Sequence, residues 1–149
     1  MNKWKMCNDE IMEIGGAVMS NKALRKYFRL HYCKDGRDKS YVDLADIYGQ
    51  IVSQGLVFES QGKLKGEDEY FYTDANYIAD ELCLPVRRVR ELIAVLVEVG
   101  LLKKKATPGK PNHYAPNPSR LAELTKDITF QYNDTEKQDR QNSENKLEY

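Results

Sequence analysis

The sequence predicts an α+β domain, mainly α, organised around a helix-turn-helix that runs into a basic β-hairpin, with an additional β-hairpin upstream. Two apolar stripes at helical spacing lie on either side of Cys83-Leu84-Pro85, and a lysine run with a Pro-Gly turn follows the second stripe. The length of 149 residues suits one domain with a sizeable core and short tails.

Residues 1–22 read as an N-terminal arm. Trp4, Met6, Ile11, Met12, Ile14 and Val18 are apolar, but Gly15-Gly16 interrupts any helix that would join them. The expectation is a short helix or a docking arm, packed on its own domain or on a second copy. The main domain then spans residues 23–125. From Tyr27 to Cys33 the pattern alternates, with Phe28, Leu30 and Tyr32 on one side, which predicts a short strand. Ser40 and Asp43 resemble an acidic capping box, and Tyr41, Leu44, Ala45, Tyr48, Ile51 and Val52 make an amphipathic helix ending at Gly55. Leu56 to Glu59 and Tyr70 to Tyr72 are strand-like and flank a polar, glycine-containing segment, so they are expected to pair; the second could also join the later sheet. Gly62-Lys63-Leu64-Lys65-Gly66 lacks the GxxxxGK[ST] spacing and the following helix of a phosphate loop, and reads as a turn.

Thr73 is a suitable N-cap for a helix whose inner face carries Ala75, Ile78, Ala79 and Leu82. Pro85 suits the first turn of a second helix, in which Val86, Val89, Leu92, Ile93 and Leu96 form the stripe and Gly100 the stop. Cys83, between the helices, is expected to be a small buried residue rather than a nucleophile. Leu101 to Lys105, the turn Pro108-Gly109-Lys110-Pro111 and Asn112 to Ala115 then form a hairpin that would be a wing. Pro118 and Ser119 can start a short helix through Leu121 and Leu124 that folds back on the core. Residues 126–149 hold few apolar side chains and are expected to be a flexible acidic-polar tail.

Leu84 to Arg90, Leu96 and Val99 to Lys103 resemble the recognition helix and first wing strand of winged helix-turn-helix proteins. Tyr48-Gly49-Gln50-Ile51 in a helix, a polar hairpin, and Tyr70-Phe71-Tyr72 leading into the helix-turn-helix are similar to the N-terminal domain of plasmid and phage replication initiators. Together the resemblance covers roughly Tyr27 to Tyr114. It implies sequence-specific binding of double-stranded DNA in replication initiation, with replication proteins as further partners. A transcriptional regulator of the same fold is the nearest alternative.

The charge distribution supports a nucleic-acid partner independently. The net charge is zero, yet Pro85 to Arg120 holds eight Lys or Arg against two Glu, a local net of +6. Arg87, Arg88 and Arg90 lie off the Val89/Leu92/Ile93 stripe, in the first turns of the second helix, where a helix-turn-helix presents its base-reading side chains. A guanidinium fork matches guanine edges and phosphate oxygens. Lys103, Lys104 and Lys105 alternate along a strand, so either Lys103 with Lys105 or Lys104 alone can face a phosphate backbone, and Lys110 at the wing tip is freer.

Ala94, Val95, Val97 and Val99 make the second helix apolar nearly all round, which would also fit a winged helix used as a protein-interaction module, or a homodimer. The sequence carries no HExxH or GxSxG motif, and His31 and Cys33 have no evident further metal ligands, so the expectation is a protein that is not an enzyme, with no cofactor and no metal. Three cysteines without CxxC spacing and no N-terminal apolar run point to a cytoplasmic protein that spans no membrane.

Overall fold

The computed structural model describes residues 2–127 apart from Ser20, Lys34 and Gly36. Its elements are α1 (Lys3–Gly15), α2 (Lys22–Tyr32), α3 (Ser40–Ser60), β1 (Phe71–Tyr72), α4 (Ala75–Leu82), α5 (Val86–Val99), β2 (Leu102–Lys105), β3 (His113–Pro116) and a helical segment over residues 118–127, here α6. The domain is therefore mainly helical, with one antiparallel sheet of three strands in the order β1-β3-β2. The predicted tail lies outside the described residues from 128 onward, and residues 126 and 127 belong to α6.

The central element is α3, against which α1, α2, α4 and α5 all pack. Leu44, Ala45, Ile47, Tyr48, Ile51 and Val52 are buried along it, more than one helical face can supply, because neighbours cover it on several sides. The helix does not stop at Gly55. A Cβ there would collide with the Trp4 indole, so this glycine is the seat of a tryptophan from α1, and the chain stays helical through Leu56 to Ser60, where a strand was expected. A glycine inside a helix costs about 1 kcal/mol relative to alanine, less than the burial of an indole returns.

Helix α1 is thus part of the core. Trp4, Cys7 and Ile11 are buried along α1, Ile14 packs at the edge, and Met6 and Met12 face outward. Gly16, at φ 70, ends the helix as the glycine pair suggested. Burial pushes the Cys7 thiol up to about 12, so it is an inert apolar group at neutral pH.

Residues 22–32 are helical, not a strand. Ala23, Leu24, Tyr27 and Phe28 are the buried positions, at three-and-four spacing, while Leu30 is exposed. Phe28 and Tyr32, four apart, share the inner side of the helix, and Leu30 between them falls on the solvent side, so the alternation is only apparent. Asn21 starts the helix: its Oδ1 accepts from the Leu24 N–H at 3.0 Å and its Nδ2 donates to the Ile11 carbonyl at 3.1 Å, tying α2 to α1.

With Leu56 to Glu59 helical, the additional hairpin does not form as predicted. Phe71 and Tyr72 instead pair with Tyr114 and His113, the second of the two pairings the sequence allowed. What remains upstream is a tight turn in which Lys65 and Tyr70 exchange two backbone hydrogen bonds of 2.8 and 2.9 Å.

The two helices on either side of Cys83-Leu84-Pro85 form where predicted, with different end residues. Asp74, not Thr73, caps α4, accepting from the Asn76 N–H at 2.9 Å, a bond that holds its carboxyl below the usual range. Thr73 donates to Gln54 Oε1 at 2.6 Å and fastens α4 to α3. Pro85 flanks α5 as the residue before its first turn, and Gly100 ends it at φ 93. Cys83 is exposed rather than buried, and it sits in the left-handed region at φ 56. The turn needs that conformation, which a side chain with a Cβ adopts at some cost. Cys83→Gly is therefore expected to raise stability by about 0.5–1 kcal/mol, readable as a higher denaturation midpoint with an unchanged slope.

Beyond Gly100, β2 and β3 pair from Leu102↔Pro116 to Lys105↔His113. Leu121 and Leu124 are buried, so α6 folds back as expected. It also completes the end of α5: Asn117 Nδ2 donates to the Gly100 carbonyl at 2.8 Å and Arg120 Nε to the Val99 carbonyl at 3.0 Å.

Candidate nucleic-acid interface

The first turns of α5 and the β2-β3 hairpin hold every side chain singled out from the sequence. Val89, Leu92, Ile93 and Leu96 are buried, which fixes the rotation of α5 and decides which arginines reach solvent. Arg87 does: its side chain is 91% exposed, and it forms an ion pair with Glu91, a turn away at 3.2 Å. Such a surface pair is worth a few tenths of a kcal/mol and yields readily to a competing anion. Arg90 is also exposed, and its charge reaches Asp74 at the start of α4.

Arg88 departs from the expectation. It is only 37% exposed, its Nε stands 2.5 Å from Asp43 Oδ2, and its Nη2 lies 3.4 Å from Ser40 Oγ, so it clamps α5 to the first turn of α3. Charge-assisted bonds of this kind are among the stronger ones, and breaking them to contact a ligand would strand Asp43. Arg88 is therefore a positioning residue for the turn that displays Arg87 and Arg90. Its partner is 45 positions away, and no local pattern advertises the pair.

The three lysines of β2 are all exposed and divide as alternation requires. Lys103 Nζ lies 3.2 Å from Asp68, whose carboxyl it holds below the usual range, with Lys3 at 3.7 Å on the same oxygen. Lys105 stands over the Tyr70 ring at 6.0 Å from its centroid. Both thus face the 65–70 turn, and Lys104, paired in register with Tyr114, faces the other way. Lys110 is exposed in the β2-β3 turn beside Gly109, which has the positive φ of 73 that the turn needs. His113 Nδ1 lies 3.1 Å from the Pro111 carbonyl and its ring is 6.2 Å from that of Tyr72.

Sequence reasoning missed Lys65 and Tyr70. They line an open groove of about 360 Å³ together with Lys105, Lys110 and His113. The signal was the glycine-flanked Lys65, set aside because it matches no phosphate-loop spacing. Among the described residues no group of three or more His, Cys, Asp or Glu is placed to hold a metal ion, and no helix is long and apolar enough to cross a membrane. The arrangement offers fixed, exposed cations at a helix start and along a hairpin, the chemistry that meets polyanions. Comparison with family models, with curated proteins and with solved structures finds no match.

Proposed function

We propose that this chain is a winged helix-turn-helix protein that binds double-stranded DNA sequence-specifically, with the start of α5 in the major groove and the β2-β3 hairpin as its wing. The observation that carries the reading is the exposure of Arg87 and Arg90 at the first turns of a helix whose opposite face is locked into the core, directly before a hairpin bearing Lys104, Lys105 and Lys110. Arg87 and Arg90 would read base edges, and the lysines would hold phosphates.

Replication initiation is the proposed setting, on the resemblance of Tyr48 to Ile51 and Tyr70 to Tyr72 to plasmid and phage initiators. The polar hairpin that entered that resemblance is here a helix end and a tight turn, so a transcriptional regulator of the same fold stays the alternative. A protein-interaction module is favoured less, because most of the apolar surplus of α5 is used internally: Val99 is buried, Val95 and Val97 pack on the core, α6 closes the helix end, and of the four residues Ala94 is the exposed one. The proposed homodimer loses the arm as its seam for the same reason. Its surface would instead be the groove between α3 and α4, of about 570 Å³, where the exposed Val57, Tyr72 and Tyr77 converge. Three free cysteines agree with a reducing, cytoplasmic setting.

Selection of bound sequences from genomic fragments tests the function. Repeated sites in a replication origin would support an initiator, and a palindromic operator beside the gene a regulator. With about five cations on phosphates or bases, the logarithm of affinity is expected to fall with the logarithm of salt at a slope of roughly −4 to −5. A flat salt dependence, or no enriched sequence, overturns the proposal.

A further inference from the structure

The groove between the 65–70 turn and the β2-β3 hairpin shares Lys105 and Lys110 with the duplex reading, but its other wall, with Lys65 and Tyr70, is not used by it and is built rather than incidental. Glu69 holds a left-handed conformation at φ 65, unusual for a residue with a side chain. Contacts from outside the turn keep it there. The Lys3 N–H donates to Glu69 Oε2 at 2.7 Å, Trp4 Nε1 to the Glu69 carbonyl at 2.9 Å, Lys3 Nζ to the Glu67 carbonyl at 2.9 Å, and Lys103 pairs with Asp68. The start of α1 and strand β2 thus pin the turn, and the turn sets Lys65 and Tyr70 opposite Lys105 and Lys110.

The chemistry of the lining is specific. It combines an aromatic ring, a histidine and three lysines, and of its two acids Asp68 is already neutralised by Lys103 and Lys3 from outside the groove. The volume of about 360 Å³ lies at the small end of the range for small-ligand sites, room for one base with its phosphate and too little for a duplex. Lys105 covers the Tyr70 ring at 6.0 Å, a cation-π contact worth about 0.5–1 kcal/mol at an exposed site. A base stacked on that ring would contribute about 1–3 kcal/mol and release Lys105 to the adjoining phosphate, so the exchange favours the base.

From these observations we infer that the groove is a single-strand nucleic-acid site, in which an unpaired base stacks on Tyr70 and Lys65, Lys105 and Lys110 hold the flanking phosphates. Every base presents a π-face, so the site takes single strands without sequence preference. It goes beyond the duplex reading and does not depend on it: Lys105 and Lys110 are common to both, but Tyr70 and Lys65 carry the single-strand site and Arg87 and Arg90 take no part.

Fluorescence anisotropy with a labelled oligothymidylate tests the assignment in the full chain. The protein is expected to bind it, Tyr70→Ala to weaken binding about tenfold, Lys65→Gln several-fold, and Tyr70→Phe to leave it unchanged. Tyr70→Ala should alter duplex affinity less than twofold, and Arg87→Ala/Arg90→Ala should leave oligothymidylate binding in place, so the two readings fail separately. Absence of binding, equal binding by wild type and Lys65→Gln with Tyr70→Ala, or an equal loss on duplex and single strand overturns the inference. Displacement of the oligonucleotide by micromolar thymidine monophosphate overturns it in favour of a free-nucleotide site. A thermal melt of each variant confirms that the losses are not unfolding, and Tyr70→Phe serves as the variant that keeps the ring.

Discussion

Trp4→Ala is expected to destabilise the domain by about 3–5 kcal/mol, enough to lower its melting temperature by roughly 10–20 °C. Three losses coincide at this side chain. The indole is fully buried, with its ring edge-on to Phe71 at 5.1 Å between centroids, in the space that Gly55 leaves on α3. Its removal opens a cavity that the long α3 cannot collapse to fill, because α2, α4 and α5 hold that helix from other sides. Its Nε1 also satisfies the Glu69 carbonyl at 2.9 Å, and a buried acceptor left unpaired adds its own penalty of about 1–3 kcal/mol. By contrast Met6→Ala and Met12→Ala, on the exposed face of the same helix, should stay within about 0.5 kcal/mol. Thermal unfolding of the three variants decides the matter. A Trp4→Ala midpoint within a few degrees of wild type would mean that residues 1–22 are a detachable arm after all.

That contrast marks what the sequence made legible. The stripes Ala75 to Leu82 and Val86 to Leu96, their turn and the stop at Gly100 are patterns whose determinants lie within a few residues, and they form where read. Errors fell where tertiary packing overrides a local signal. Gly55 looks like a helix terminator until an indole from fifty residues upstream occupies it. Phe28, Leu30 and Tyr32 alternate like a strand until Asn21 and Leu24 set the helix phase. At the candidate interface, Arg87 and Arg90 were readable as exposed because the buried stripe fixes their side of α5. The withdrawal of Arg88 to Asp43, of Lys103 to Asp68, and the convergence of Lys65 and Tyr70 on the β2-β3 hairpin all join residues that are at least 35 positions apart, save Lys65 and Tyr70 themselves.

The division among the three arginines yields the second large effect. Arg87→Ala/Arg90→Ala is expected to remove duplex recognition: a bidentate contact to a base is worth about 1–3 kcal/mol, so losing two weakens binding roughly a hundredfold or more and relaxes sequence preference. Both side chains are exposed, so the melting temperature should change little. Arg88→Ala should show the reverse pattern. It strands Asp43 beside Ser40 and is expected to cost about 1 kcal/mol of stability, discounted for the partial exposure of the pair, with a smaller loss of affinity that follows from a looser α5 start. Asp43→Asn removes an acid beside the interface and releases the guanidinium, so it should lower stability while tightening duplex binding slightly. Lys110→Ala, in the β2-β3 turn, should weaken all sequences alike. Titration of each folded variant against selected and scrambled duplexes separates these outcomes. Undiminished binding by the folded Arg87→Ala/Arg90→Ala protein would take α5 out of the interface, and a loss on Arg88→Ala as large as theirs would show that the Asp43 clamp opens when DNA arrives.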